Sequence, residues 1–128
     1  MPFLEEKTLL LPAQRMGAYL SWLELEQENG AEMVSFGIIA NAGDARSYAF
    51  GALEAAKAGN FEEAEELLKK SNDAAVEAHH MQTELLVNEA NGNKTPVDVL
   101  LVHAQDHLMT SMLAVELIKE LITIYKNK

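Results

Sequence analysis

Apolar residues recur at helical spacing along most of the chain, and glycine, asparagine and proline punctuate them into long helices. The last is the clearest. Asn91-Gly92-Asn93-Lys94 reads as a turn, Thr95 as an N-cap and Pro96 as the first helical residue. Asp98 lies three residues after Thr95, a variant of the capping box. No glycine or proline follows, and Lys126 and Lys128 suit a helix C-terminus. The pattern predicts one helix from Pro96 to about Lys126, roughly 45 Å long at 1.5 Å per residue. A second helix starts after Gly59-Asn60, with Asn60 as cap and Glu63 completing a capping box, and runs to about Ala90. A first long helix spans about Ala31 to Ala58. It is rich in small residues, and Gly43 is a position for a bend. Ahead of it, Met16, Tyr19, Leu20 and Leu23 share one face of a shorter amphipathic helix over Pro12 to Glu28. Asn29-Gly30 is expected to separate the two. The expectation is an all-α chain: an N-terminal segment over residues 1–30 and a three-helix domain over residues 31–128.

Placing residues at 100° intervals on the last helix exposes an anomaly. Glu116, Lys119, Glu120 and Thr123 mark a solvent side, and Leu117, Ile118, Leu121, Ile124 and Tyr125 an opposite stripe expected to be buried. Followed toward the N-terminus, that stripe turns into His103, Asp106, His107 and Thr110. Meanwhile Leu101, Val102, Leu108, Met109 and Met112 make a second apolar face. Three helices cannot easily cover both faces, which predicts a homo-oligomer.

Composition narrows the chemistry. Twenty acidic against ten basic residues give a formal charge of −10, which repels nucleic acid and anionic lipid and favours a basic protein partner. Cysteine is absent, which removes disulfides, thiolate metal sites and cysteine nucleophiles. Leu9-Leu10-Leu11 is not read as a targeting signal, because Glu5 and Glu6 stand where positive charge belongs and Pro12 ends the run. No apolar run approaches the roughly 20 residues of a membrane span. The expectation is a cytoplasmic protein without membrane insertion.

A polar group in an apolar stripe costs about 1–3 kcal/mol unless paired. A satisfied structural network in an interface would meet that cost with no chemistry at all. Two chemistries compete with it. His103 and His107, one turn apart, could ligate a transition metal with Asp106, as in a metal-binding helical bundle. Glu77 with His80 resembles half of a di-iron motif, but the last helix has no matching pair. Alternatively, a neutral imidazole is a good nucleophile toward phosphorus near neutral pH. Gln105, His107 or Thr110 could then donate hydrogen bonds to the phosphoryl oxygens. No phosphate-binding glycine loop is present, so the donor would be another phosphoprotein. Spacing alone leaves these readings open.

Leu101-Val102-His103-Ala104-Gln105-Asp106-His107-Leu108-Met109-Thr110 resembles the active-site signature of the enzyme IIA component of the lactose, cellobiose and chitobiose branch of the bacterial sugar phosphotransferase system. Ala42-Gly43-Asp44-Ala45-Arg46-Ser47 and Glu77-Ala78-His79-His80-Met81-Gln82-Thr83-Glu84-Leu85 agree with the same family, over about residues 31 to 126. The resemblance implies an antiparallel up-down-up three-helix bundle that assembles as a homotrimer. It implies that His103 takes a phosphoryl group from phospho-HPr and passes it to a cysteine of the cognate IIB protein, which serves the membrane component IIC. Gln105 and His107 match residues lining the phosphohistidine. Asp106 matches the aspartate whose three copies meet around a divalent cation, Mg2+, at the threefold axis. The resemblance assigns no firm role to His79, His80, Gln82 or Arg46. His79 is preferred to His80, and Arg46 is read as an ion-pair partner of Asp44 or Glu77. The wording of Leu101 to Met112 leans toward the cellobiose or chitobiose branch. Residues 1–30, with Trp22, match nothing in the family.

Overall fold

The structure, a computed structural model, describes the backbone from residue 12 and the side chains from residue 30. The chain divides into two compact units, Met1–Met33 and Val34–Lys128, and the packing described below is that of the second. The expectations for Leu9 to Leu11, for the face of Met16, Tyr19, Leu20 and Leu23, and for Trp22 lie outside the described residues.

Among the described residues the regular structure is three helices: α1 (Pro12–Lys57), α2 (Phe61–Ala90) and α3 (Val99–Lys126). Contrary to expectation, α1 runs through Asn29-Gly30 without a break. A single glycine costs a helix only about 1 kcal/mol relative to alanine, and no proline stands near to stop it. Gly43 likewise stays within the helix. Among the described residues no helix is long and apolar enough to cross a membrane.

The turns follow glycine where backbone geometry demands it. Gly59 has φ +84°, its N–H donates to Ala56 O (3.0 Å), and Asn60 N–H donates to Ala55 O (2.8 Å). That pair of bonds is a Schellman closure of α1. The same pattern ends α2, with Gly92 at φ +86° bonded to Glu89 O and Asn93 N–H to Asn88 O. The helix starts differ from those expected. Asn60 precedes α2 but makes no side-chain cap bond, so the Asn60/Glu63 capping box is absent. On α3 the cap is Asp98 and not Thr95, and the helix begins at Val99 and not Pro96. The Asp98 carboxylate accepts Leu101 N–H at 2.8 Å, and an ionised cap serves the open N–H groups better than a hydroxyl.

Cross-helix contacts fix an up-down-up order. Met81 fills the space beside Gly37, Ser71 donates to Ala45 O at 2.6 Å, and Leu67 lies against Gly51. Numbers that rise on α1 thus meet numbers that fall on α2. Between α2 and α3, Lys126 pairs with Glu65 at one end while Gln105 bonds Gln82 at the other. The α1–α3 pair is parallel, with Gly43 beside His107.

The core is a seam of small residues at seven-residue spacing. On α1 it comprises Ile38, Ala42, Ala45, Ala49, Ala52 and Ala56, and on α2 Ala64, Ser71 and Ala78. Facing them, α3 inserts Ala104, Leu108, Ser111, Val115, Ile118 and Ile122. The larger side chains of α3 meet an alanine surface, which brings the helix axes close.

This settles which side of α3 is inside, and it divides the stripe expected to be buried. Ile118 enters the core and Tyr125 packs half-buried against it, but the rest stays outside. Leu117, Leu121 and Ile124 are exposed (55, 42 and 58 %), together with Leu113 above them. They lie about 150° round the helix from the core row at 100° per residue. The supposed second face also divides: Leu108 enters the core, Leu101 and Met112 are half-buried, and Val102 and Met109 are exposed. The row from Leu113 to Ile124 is therefore an exposed apolar stripe of α3, and it carries His103, Asp106 and Thr110 at its upper end.

The Gly59 closure can be tested by itself. Gly59→Ala places a Cβ in a left-handed conformation and is expected to destabilise the chain by about 1 kcal/mol, read as a lower urea midpoint with an unchanged slope.

Candidate functional site

The site residues sit in the first three turns of α3. At 100° per residue, His103, His107 and Asp106 fall on one side of the helix, whereas Gln105 is about 200° from His103 and faces away. Spacing therefore groups three of the four residues singled out and separates the fourth.

His103 is exposed and His107 half-buried. Their rings stack, with centroids 5.9 Å apart and planes 16° from parallel. His107 is placed by α1: a Cβ built on Gly43 would stand 3.3 Å from His107 Nε2. Gly43 is thus a seat for the imidazole, and His107 in turn backs His103. Glycine at position 43 is the signal that could have revealed this contact.

The Asp106 side chain is exposed, and among the described residues it takes part in no hydrogen bond or ion pair. Thr110 does not reach it, because its hydroxyl donates to the main chain, to Asp106 O at 2.8 Å and His107 O at 3.4 Å. Asp106 is thus a solvent-exposed carboxylate on an apolar stripe, with no side-chain partner among the described residues. Within one chain no group of three His, Asp or Glu side chains able to hold a metal assembles among the described residues.

Gln105 points to α2. Its amide and that of Gln82 exchange two hydrogen bonds, at 2.7 and 2.5 Å, and both side chains are half-buried. Helical spacing in the sequence does not reveal this pair.

The other residues singled out lie apart from this cluster's chemistry. Arg46 does not pair with Asp44 or Glu77. Its guanidinium lies 5.7 Å from the centre of the Phe50 ring. Phe50 is one turn further along the same face, whereas Asp44, two residues back, points elsewhere. His79 and His80 are both exposed, and His80 Nε2 is 3.8 Å from Glu84 Oε1. Glu77 is exposed as well, so the Glu77/His80 pair forms no buried half-site.

Comparison with known proteins places this geometry. Residues 33–126 match the family described as the lactose/cellobiose-specific IIA subunit of the PTS system. The lactose-specific EIIA component of Streptococcus mutans is 49 % identical over 97 residues, covering 76 % of this chain and 93 % of the relative. The N,N'-diacetylchitobiose-specific EIIA component of Escherichia coli K12 is 50 % identical over 96 residues, covering 75 and 83 %. Among solved structures, the cellobiose-specific enzyme IIA of Bacillus anthracis superposes with a TM-score of 0.74 at 50 % identity, covering 76 % of this chain and 89 % of that one. The IIA(chitobiose)–HPr complex of the Escherichia coli phosphotransferase system gives 0.66 at 48 % identity, covering 76 and 94 %. With its three-helix bundle and a matched region that includes the His103–His107 cluster, the chain belongs to the lactose/cellobiose-specific IIA family, the phosphotransferase components of the PTS.

Proposed function

We propose that this chain is a cytoplasmic phosphocarrier that takes a phosphoryl group from phospho-HPr on His103 and hands it to a cysteine of a cognate IIB protein. The observation that carries the reading is an exposed imidazole at position 103, backed by His107, in a chain of this family. A phosphoryl group borne by another protein can be reached only by a nucleophile at the surface. A ring nitrogen of His103 attacks phosphorus as the bond to the donor breaks. In the second step the IIB thiolate attacks, the P–N bond breaks, and His103 returns to neutral imidazole. The similarity to a IIA known in complex with HPr supports the donor. Relatives named for lactose and for N,N'-diacetylchitobiose support a relay serving disaccharide uptake through a membrane component IIC.

The same reading supplies the missing partner of the α3 stripe. Leu113, Leu117, Leu121 and Ile124 would be covered by two further copies in a homotrimer, with parallel α3 helices around a threefold axis. Asp106 lies on that stripe, so three carboxylates would converge. Like charges at that distance repel strongly, and an all-oxygen donor set fits a hard cation such as Mg2+. Such an ion, one per trimer, would supply charge neutralisation to the assembly and no step of the transfer. Because Gln105 faces away from its own His103, its approach to a phosphohistidine would be to that of a neighbouring copy.

Incubation with phosphoenolpyruvate, enzyme I and HPr should add the mass of one phosphate per chain. The adduct should be acid-labile, absent from His103→Gln and retained in His107→Ala. An unmodified wild-type chain would sink the proposal. For the assembly, sedimentation should show Leu117→Glu as a folded monomer, because about 0.8 kcal/mol per buried methylene is lost in each copy and a charge enters the seam. Asp106→Leu should do the opposite: a trimer more stable than wild type and indifferent to chelators. Dissociation of that variant would show the carboxylates do not converge.

A further inference from the structure

The Gln82–Gln105 pair is a satisfied polar link between α2 and α3, and its Gln82 member has no part in the relay described above. The two residues are 23 apart in sequence, and each amide donates one N–H to the other's carbonyl oxygen. The pair lies in a groove of about 190 Å³ whose other walls are Leu85, Leu86, Val97 and Leu101, with Glu89 and Thr95. Neither Glu89 nor Thr95 hydrogen-bonds these amides, and the remaining walls are apolar, so the two glutamines are each other's side-chain partners in the groove. A ring of two hydrogen bonds uses one N–H and one lone pair of each amide. Each residue therefore keeps one N–H free for a third group.

We infer that Gln82 is a positioning residue for phosphoryl transfer, which holds the Gln105 amide in place by a two-bond clasp while leaving a Gln105 N–H free for a phosphoryl oxygen. The inference rests on the proposed relay and on Gln105 meeting the phosphohistidine of a neighbouring copy. Glutamine has three side-chain torsions, and fixing them in advance removes an entropic cost from the transfer step. The clasp does this without consuming the donor. It also ties the orientation of Gln105 to α2.

The test compares Gln82→Leu, Gln105→Leu and the double variant, each in the full chain. The readouts are the second-order rate of phosphorylation by phospho-HPr, thermal stability, and the Gln105 side-chain amide resonances before and after phosphorylation. Gln82→Leu is expected to slow transfer about tenfold, the scale of one hydrogen bond to a charged group. In the Gln105→Leu background it should have no further effect on the rate. In wild type the Gln105 amide should shift on phosphorylation, and that shift should shrink in Gln82→Leu. Gln82→Glu, which keeps an acceptor for Gln105 N–H, should recover part of the rate. Equal rates in wild type and Gln82→Leu would overturn the inference, even with a lower melting temperature, and would leave the relay standing. Additive effects in the double variant would overturn it too. A wild-type chain that takes no phosphate would overturn the relay and this role together.

Discussion

The structure depends on how closely α1 can lie against its neighbours. Six of its inward positions, from Ile38 to Ala56 at seven-residue spacing, are alanine except the first. An alanine face contributes little volume of its own, so the core is filled by what α3 brings to it: Leu108, Val115, Ile118 and Ile122. Glycine stands where a side chain from another helix comes closest. Gly37 admits Met81, and Gly43 admits His107. The same close approach that closes the core thus seats the imidazole that backs His103.

From this follows the division of labour on α3. One row is spent on the core, and the side bearing Leu101, Gln105 and Met112 turns toward α2. What remains is an apolar stripe that ends in Asp106 and His103. Among the described residues nothing covers it, since the segments of α1 and α2 that pack on α3 lie on its other side. Exposed leucines in a row are a cost to a monomer and an asset to an assembly. The polar groups at the head of that row need not be buried within their own chain, which is why they can keep chemistry available there.

The two histidines and the two glutamines show how differently a polar group can be accommodated near such a seam. His103 and His107 support each other by stacking and stay open to a partner on one side. Gln82 and Gln105 satisfy each other and bind two helices together. The first arrangement is legible in sequence, because i and i+4 always meet on a helix. The second joins residues 23 apart on different helices, and only the fold brings them together.

The sequence by itself determined that residues 31–128 form three helices, with a closure at Gly59, a turn around Gly92 and the residue types grouped around His103. These are local matters, set by backbone conformation and by neighbours one turn away. The sequence did not determine the caps of the last two helices or the continuity of α1 through Asn29-Gly30. The family signature in Leu101 to Thr110 carried the function further than spacing could, which left both nucleophile and metal ligand open. Tertiary structure alone decided which apolar row of α3 faces inward. The row from Leu108 to Ile122 and the row from Leu113 to Ile124 are alike in period and hydrophobicity, so no pattern along one helix separates them. The choice is made by fit against an alanine seam some 60 residues away, and with it the stripe carrying His103 and Asp106 was placed on the outside.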